Sequence, residues 1–264
     1  MPTLYSATVE LKERLDRMAH LNCDFERSPG VIIMNIDLVG STQILSDHGV
    51  PSIIHVCKTF FADIVKILRC EYHPYLCIHE VAGDGFILLL NASWTYNLPM
   101  ISAMLAVNFA VKLLNATASY VKARIGISMG DVFFGFIGDK LRIFGEAMNE
   151  SARLQGAAQN GTIMVNDVFR QKLTAEMGLF AAPEAESAFS QSSTEQTLEL
   201  KGFGARKCHS IVPPPVSLAA PSVVSASLGV CASPTPRGTA PSAADFIAFK
   251  RGWEASPTLQ RGLL

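Results

Sequence analysis

The stretch from Val31 to Thr42 constrains the chain more than any other, and it reads VIIMNIDLVGST. Its first six residues form a nearly unbroken apolar run, which a strand buried on both faces requires. The run ends at Asp37, and a turn of small and hydroxyl-bearing residues follows. A carboxylate at the tip of a buried strand, next to such a turn, can hold a metal ion and the phosphates of a nucleotide. An ordinary surface Asp in a turn would give the same pattern.

The composition limits the size, the partners and the location of the protein. With 264 residues, 49% hydrophobic and 17% charged, the chain can bury one sizeable core and carry appendages. The net charge of −1 argues against nucleic acid or an acidic membrane as a partner. The six cysteines show neither CxxC pairs nor zinc-ligand spacing, and the sequence shows no signal pattern or membrane-spanning run. We therefore expect a cytoplasmic protein with reduced cysteines.

Shifts in composition divide the chain into three regions. Residues 1–27 contain an amphipathic helix, predicted over Thr3–Leu21, and are too short for a sensor domain. Residues 28–213 are expected to form the folded domain. Residues 214–264 are rich in Pro, Ser and Ala, which predicts a flexible tail with a short docking helix after Ala243.

Within the folded domain the hydrophobic period alternates between strand and helix patterns. The predicted strands are Val31–Asp37, Tyr75–His79, Gly85–Leu90, Val121–Met129, Val132–Ile137, Gly161–Val165, Leu198–Lys201 and Lys207–Val212. The predicted helices are Ser52–Leu68, which starts at Pro51, Met100–Ala116, and a short one from Gly145 to Gln155. We expect one solvent-exposed face on strand 121–129, a reversal at Gly130-Asp131, and a loop at residues 182–196. This order fits an α+β fold of the ferredoxin-like βαββαβ type, with helices on one face of an antiparallel sheet.

Two acidic residues lie at the ends of strands that are expected to be neighbours. Asp37 ends the first strand, and Asp84 lies in the turn of the following hairpin. If the hairpin lies beside the first strand, the two carboxylates converge and repel each other unless a divalent cation lies between them. Two Mg²⁺ or Mn²⁺ ions held there would suit transfer at a phosphate. Two independent surface acids would give the same sequence.

Further polar groups suit a nucleotide. Asn149 and Arg153 are four residues apart on the short helix, so their side chains share a face. An amide and a guanidinium on one face suit a ribose and a charged phosphate. An ordinary polar helix face would look the same. The turn from Val39 to Thr42, which includes Gly40, offers backbone N–H groups to phosphates.

Five segments, in order, resemble the successive motifs of the class III nucleotidyl cyclases across about residues 28–213. They read NIDLVGST, EVAGDGF, ARIGISMGDVFFGFIG, LRIFGEAMNESARLQGAAQNGTIMVND and LKGFGARKCHSI. The resemblance implies a cyclase that converts a nucleoside triphosphate into a 3′,5′-cyclic nucleotide and pyrophosphate. It also implies a homodimer with two composite sites and two divalent metal ions, Mn²⁺ or Mg²⁺.

The resemblance assigns a role to each matching residue. It implies that Asp37 and Asp84 hold the metal ions, with help from the carbonyl group of Leu38. The partner chain is expected to supply Asn149, which orients the ribose, and Arg153, which stabilises the reacting phosphate. Lys201 in the LKGFG segment matches the lysine that reaches the nucleotide phosphates.

Two positions read the base in this family, and the resemblance places Glu80 and Arg142 of the partner chain there. Adenylate cyclases usually carry Lys with Asp or Thr, and guanylate cyclases Glu with Cys, so this chain departs from both patterns. Hydrogen-bond sense leaves guanine, uracil, cytosine and adenine open. The length of Arg142 favours a pyrimidine, because its side chain could fill the volume of a purine's second ring.

The stand-alone domain also resembles the pyrimidine cyclases of Pycsar anti-phage systems, which make cyclic UMP or cyclic CMP. Ser41 stands where purine cyclases commonly have Phe. We expect UTP, or CTP, as the substrate, with guanylate or adenylate cyclisation as the alternative. A diguanylate cyclase would lack the helix with Asn149 and Arg153. An inactive cyclase-like dimerisation module would usually have lost one of the motif residues.

Overall fold

The structure is a computed structural model that describes residues 25–72, 75–92, 100–137, 140–180 and 192–213. The predicted helix at Thr3–Leu21 and the predicted tail at 214–264 lie outside the described residues. None of the helices described is both long enough and apolar enough to cross a membrane.

Strands and helices alternate along the described residues. The strands are β1 (Glu26–Leu38), β2 (Leu76–Ala82), β3 (Gly85–Leu90), β4 (Ala123–Ile137), β5 (Lys140–Phe144), β6 (Ile163–Asn166), β7 (Ser193–Leu200) and β8 (Gly204–Ile211). The helices are α1 (Ser41–Ile67), α2 (Ser102–Thr117), α3 (Glu146–Ala157) and α4 (Asp167–Phe180). A π-helical turn, Leu68–Tyr72, extends α1.

The strands form one sheet in the order β2-β3-β1-β4-β6-β8-β7, and β5 pairs with β4. Every neighbouring pair is antiparallel except β4 and β6, which are parallel. β1 lies inside the sheet, where Ile36 is opposite Phe86 of β3 and Ile125 of β4. The predicted α+β class with a mainly antiparallel sheet is confirmed.

Helices cover both faces of this sheet, so the expectation of helices on one face is wrong. Alternate residues of β1, such as Ile32 and Met34, pack in the large core with α1, α2 and α4. The intervening residues Val31 and Ile33 face the other side, where they pack in one cluster with Ala147 of α3. A strand with two apolar faces needs a cover on each, and α3 supplies part of the second one.

The predicted reversal at Gly130-Asp131 is wrong, because β4 continues to Ile137 as one strand. Beyond an irregularity between Ser28 and Val31, the start of β1 keeps pairing with the second half of β4. Asp131 accepts hydrogen bonds from the Gly30 N–H, at 3.2 Å, and from Arg27, which fastens the two strands together. The chain instead reverses between β4 and β5.

The exposed face predicted for the start of β4 is also mostly covered. Gly126 and Ser128 are buried beneath α3, and Ser128 donates a hydrogen bond to the carbonyl group of Ala147. A Cβ added at Gly126 would lie 2.2 Å from the Ser151 carbonyl oxygen and from the Gln155 backbone nitrogen. The glycine therefore allows α3 to approach the sheet at backbone distance.

Several boundaries differ from the prediction. α1 starts at Ser41 rather than at Pro51, and a kink at Gly49, with φ of 76°, separates its two parts. The prediction missed α4 and β5, and β7 starts at Ser193, inside the segment predicted as a loop. α4 follows β6 without a turn, and its start is marked only by Asn166, whose side-chain oxygen accepts the Phe169 N–H at 3.0 Å, and by Asp167. The two hairpins, β2–β3 and β7–β8, pair as predicted.

Candidate active site

Asp37 and the β2–β3 turn lie side by side at one edge of the sheet. Asp37 follows Ile36 in β1, and the partner of Ile36 on β3 is Phe86, two residues after Asp84. A Cβ added at Gly85 would lie 2.7 Å from the Ile36 carbonyl oxygen and 3.6 Å from Oδ1 of Asp37. The structure thus places the two predicted metal-binding residues in neighbouring segments, as the register of the hairpin requires.

The two carboxylate oxygens of Asp37 have different surroundings. Oδ2 accepts a hydrogen bond from Nη2 of Arg124, at 3.0 Å, and one from Nε2 of Gln155, at 3.2 Å. Oδ1 lies on the side of Gly85 and the turn that carries Asp84. The carboxylate is therefore anchored through one oxygen, and the other lies on the side of Gly85, the residue that follows Asp84.

Sequence reasoning missed both anchors. Arg124 was visible only as a polar residue on a predicted strand face. Gln155 follows Arg153 by two residues and so lies off the face that carries the predicted catalytic pair. Neither residue belongs to a local sequence pattern that indicates contact with Asp37, because that contact depends on how α3 packs on β4.

Asp84 has the feature expected of a site that binds a cation. Its Oδ2 atom is buried and has no hydrogen-bond partner among the described residues. An unpaired buried carboxylate oxygen is costly, and a bound divalent ion would satisfy it. Burial, and secondarily the charge of Asp84, raises the pKa of the nearby Cys57 thiol. The neighbouring thiol is therefore held in its neutral form and is a poor metal ligand.

These observations fit a site made by two carboxylates. No cluster of three or more His, Cys, Asp or Glu suited to a metal occurs in the described part of the chain. A divalent ion would therefore need further oxygen ligands from the backbone, water or substrate phosphates, as Mg²⁺ commonly has. The side chain of Leu38 is a hydrocarbon buried in the core, so a metal ion could be bound by this residue only through its backbone carbonyl group.

The turn after β1 leads directly into α1. Gly40 precedes the helix with φ of 76°, and its carbonyl group accepts the Ile44 N–H at 2.9 Å. The Val39 N–H is already bonded to the Lys122 carbonyl group, so it is not available to a phosphate as the sequence had suggested. The N–H groups of the first helical turn, around Thr42, remain suitable anion donors.

Asn149 and Arg153 make no hydrogen bond or ion pair with Asp37 or Asp84 of the same chain among the described residues. Both side chains are exposed, and neither takes part in a hydrogen bond or ion pair among the described residues. The buried side of α3 consists of other residues, among them Ala147, Ser151 and Leu154. The exposed side of this helix is thus free for a second chain.

Polar contacts hold α3 in place on the sheet. Asn35 of β1 donates a hydrogen bond to Oγ of Ser151, at 2.6 Å. The buried carboxylate of Glu150 accepts one from Asn166 at 2.7 Å, and Asn166 also bonds the backbone of Met129. Together with the contact at Gly126, these bonds fix the direction in which α3 presents its exposed side.

Glu80 and Arg142 meet in the structure. Glu80 lies on β2 and Arg142 on β5, and their charged groups are 3.9 Å apart. Their side chains are 47% and 41% exposed, so the pair is open to a ligand. His79 lies beside them: burial lowers its pKa, while Glu80 raises it and Arg142 lowers it. A neutral imidazole therefore borders an acceptor and donor pair.

Lys201 begins the turn between β7 and β8 and is exposed. It has no ion-pair partner in the described part of the chain. Its ammonium group is therefore available to a phosphate, although the structure places it in contact with none of the other candidate residues.

Comparison with known proteins identifies the family. The profile of the adenylate and guanylate cyclase catalytic domain matches residues 23–212, which is more than half of the chain. An uncharacterized protein from Mycobacterium tuberculosis (strain CDC 1551 / Oshkosh) is 27% identical over 175 residues, covering 65% of this chain. The match covers 29% of that relative, so this chain spans less than a third of its length.

Solved structures share the fold. The guanylate cyclase domain of RhGC from Catenaria anguillulae, in complex with GTP, has a TM-score of 0.59 at 18% identity, covering 71% of this chain and 98% of that one. The adenylyl cyclase CyaB from P. aeruginosa has a TM-score of 0.58 at 15% identity, covering 72% and 97%. The profile match and the fold agree, and the chain belongs to the adenylate and guanylate cyclase catalytic domain family of nucleotide cyclases.

Proposed function

We propose that the protein is an active cyclase that converts a nucleoside triphosphate into a 3′,5′-cyclic nucleotide and pyrophosphate, as a homodimer with composite sites. The observation that carries this proposal is that Asp37 lies beside the turn that contains Asp84. Oδ1 of Asp37 faces the turn in which Asp84 keeps a buried oxygen without a partner in the described part of the chain. Such a pair suits divalent ions and has little purpose in a purely structural turn.

Asp37 and Asp84 would hold two divalent ions, Mn²⁺ or Mg²⁺, and the Leu38 carbonyl group would add a ligand. When bound, such ions lower the pKa of the 3′-hydroxyl and hold the triphosphate. The 3′-hydroxyl would lose its proton to solvent and its oxygen would attack the α-phosphorus in line, while the bond from that phosphorus to the bridging oxygen breaks and pyrophosphate leaves. The chain's own contribution is to fix the two carboxylates at the edge of a rigid sheet, which limits their movement during the reaction.

Asn149 and Arg153 would act on the substrate bound to the partner chain. Both are exposed on the outer side of α3, and the same helix is fastened to its own sheet through Glu150 and Ser151. Asn149 would orient the ribose through its amide. Arg153 would neutralise the charge that grows on the phosphate, because its guanidinium is always protonated.

The phosphates would be held from two sides. The first turn of α1, with Gly40 and Thr42, supplies backbone N–H groups and the positive end of a helix dipole. Lys201 supplies a flexible ammonium group from the β7–β8 turn. Both would support departure of pyrophosphate by stabilising its negative charge.

For the base we propose a pyrimidine, with UTP ahead of CTP. Glu80 offers hydrogen-bond acceptors and Arg142 offers hydrogen-bond donors. Their charged groups are 3.9 Å apart, close enough to contact the same base. Uracil presents N3–H next to a carbonyl group, which matches this pair, and the long arginine leaves less room for a second ring. Guanine matches the pair in hydrogen-bond sense, so guanylate cyclisation is the second candidate.

A pyrimidine product would fit a second messenger of anti-phage defence, as the likeness to the Pycsar cyclases suggests. The test is to incubate the purified protein with ATP, GTP, CTP or UTP and Mn²⁺, and to identify the product by mass. Formation of cyclic UMP or cyclic CMP supports the proposal. Cyclic GMP or cyclic AMP as the main product would reject the pyrimidine assignment, and no cyclic product from any substrate would reject the activity.

The role of Arg142 is tested by R142A, with R206A as the matched control. Arg206 is another partly exposed arginine that pairs with a glutamate, Glu146, in the same chain. R142A should change the ratio of UTP to GTP turnover by about tenfold or more, because a hydrogen bond to a charged group contributes roughly 1.5–3 kcal/mol. R206A should leave that ratio unchanged. An unaltered substrate profile in R142A would remove Arg142 from base recognition.

A further inference from the structure

Helix α3 contacts the metal-binding carboxylate of its own chain. Gln155, in the last turn of α3, donates its amide N–H to Oδ2 of Asp37 at 3.2 Å. Gln155 lies on the side of the helix that faces β4, because its backbone nitrogen would be 2.2 Å from a Cβ at Gly126. The contact is thus built into the packing of α3 against the sheet.

This hydrogen bond holds one oxygen of the Asp37 carboxylate. Arg124, next to Gln155, bonds the same oxygen, at 3.0 Å, so Oδ2 is held by two donors from two elements. Because Oδ2 is held, rotation of the carboxylate about the Cβ–Cγ bond of Asp37 is restricted. Oδ1 therefore remains on the side of Gly85 and the turn that contains Asp84. A carboxylate that is oriented before it meets a cation loses less freedom on binding it.

Arg124 and Gln155 differ in what they do to a bound cation. The guanidinium of Arg124 is positive and repels a divalent ion near Asp37, whereas the neutral amide of Gln155 orients the carboxylate without that repulsion. Loss of Arg124 would remove a positive charge as well as a hydrogen bond, and the lower repulsion would offset part of the weaker metal binding. Loss of the Gln155 amide has no such offset, so it should weaken metal binding more clearly.

We propose that Gln155 is a positioning residue, which orients the Asp37 carboxylate so that Oδ1 faces Asp84 and a divalent ion. The inference rests on the proposed function, since it assumes that Asp37 and Asp84 hold the ion. It adds that the helix which offers Asn149 and Arg153 to a partner chain also sets the metal ligand of its own chain. One helix thus contributes to both composite sites of a dimer.

The test compares Q155M with Q159M in the full chain. Methionine keeps the length of glutamine and removes the donor, and Gln159 is an exposed glutamine shortly after α3 that serves as the matched control. Mn²⁺ affinity is measured by electron paramagnetic resonance of free Mn²⁺, without nucleotide. The loss of an outer-shell partner typically costs 10–100-fold in metal affinity, so Q155M should bind Mn²⁺ about tenfold more weakly. Q159M should bind like the unaltered protein.

A second readout separates positioning from a general effect on α3. If Gln155 acts through Asp37, Q155M needs more Mn²⁺ for half-maximal turnover but keeps kcat at saturating Mn²⁺ within about twofold. A lower kcat with unchanged Mn²⁺ affinity would show that Gln155 only places α3, and it would overturn the proposal. Unchanged Mn²⁺ affinity with unchanged kcat would overturn it as well.

The variant D37A distinguishes this failure from failure of the proposed function. If D37A loses Mn²⁺ binding and Q155M keeps it, only the role of Gln155 is wrong. If D37A binds Mn²⁺ like the unaltered protein, the metal assignment itself is wrong. Thermal unfolding of Q155M without Mn²⁺ should remain cooperative, which shows that the variant is folded, because Gln155 is only half-buried at the end of its helix.

Discussion

Asp84 keeps a buried oxygen without a hydrogen-bond partner among the described residues, at the position where the proposed site needs a ligand. Such a group lowers the stability of the metal-free protein, and function is the reason to retain it. The variant D84A should therefore raise the free energy of unfolding of the metal-free protein by about 1 kcal/mol. It should also remove Mn²⁺ binding.

Urea unfolding with and without Mn²⁺ tests both parts of this prediction. D84A should show a higher midpoint without metal and no shift when Mn²⁺ is added, whereas the unaltered protein is stabilised by the ion. Stabilisation of D84A by Mn²⁺ equal to that of the unaltered protein would contradict the assignment of Asp84.

His79 makes stability depend on pH beside the proposed base-binding pair. Burial lowers its pKa below the ordinary value of 6.5, so the folded protein gives up this proton more readily than the unfolded chain does. Between the two pKa values the unfolded chain binds more protons, and stability rises with pH. As the pH falls, the loss of stability starts near the pKa that His79 has in the unfolded chain. The loss is complete below the pKa that His79 has in the folded protein.

The variant H79Q should remove this part of the pH dependence. Urea unfolding at about pH 7.5, 6.5 and 5.5 should show a smaller loss of stability in H79Q than in the unaltered protein. H55Q, at an exposed histidine on α1, serves as the control and should keep the original slope. Equal slopes in all three proteins would show that His79 does not titrate as described.

At the level of elements, the placement of α3 depends on the absence of a side chain at Gly126. A Cβ there would lie 2.2 Å from backbone atoms of Ser151 and Gln155, which cannot move aside separately from the helix. G126A should therefore destabilise the protein by about 1–3 kcal/mol or more. Turnover should also fall, because α3 carries Asn149 and Arg153.

Gly156 provides the matched control on the same helix. A Cβ at Gly156 would meet nothing within 4 Å. G156A should therefore stabilise the protein by about 0.5–1 kcal/mol, since alanine loses less backbone entropy in a helix. Thermal unfolding of both variants measures the contrast, and equal stability of G126A and G156A would contradict the close approach of α3 to β4.

Elements with a strong local signal could be predicted from the sequence, and those set by tertiary contacts could not. The apolar run before Asp37 and the turn at Gly83 specified β1 and the β2–β3 hairpin, because burial and turn chemistry act locally. The continuation of β4 past Gly130 depends on its pairing with the start of β1, which no local pattern reveals. The placement of α3 on the second sheet face depends on Gly126 in the same way.

The same distinction applies to the candidate site. The residues proposed to bind metal and to read the base could be predicted from the family motifs, and the structure brings Glu80 and Arg142 to 3.9 Å. The anchors of Asp37, Arg124 and Gln155, come from elements far away in sequence. Their role became visible only when α3 and β4 were packed together.

At the scale of the whole molecule, the residues proposed to hold the metal ions and those proposed to act on the ribose and phosphate make no hydrogen bond or ion pair with each other among the described residues. Asp37 and Asp84 lie at the edge of the sheet, while Asn149 and Arg153 lie on the exposed side of α3. A homodimer with two-fold symmetry would join each of these two sets of residues to the complementary set of the partner, which gives two composite sites.

Mixed dimers test this central claim most directly. D37A and R153A should each be inactive alone, because every site then lacks one component. When the two variants are combined in equal amounts, half of the dimers are mixed and each has one complete site, so about a quarter of the original cyclic-nucleotide production should return. In a mixture of D37A with D84A, every chain lacks one of the two proposed metal-binding residues, so the mixture should remain inactive. Activity in the D37A and R153A mixture no higher than the sum of the separate variants would contradict the composite site.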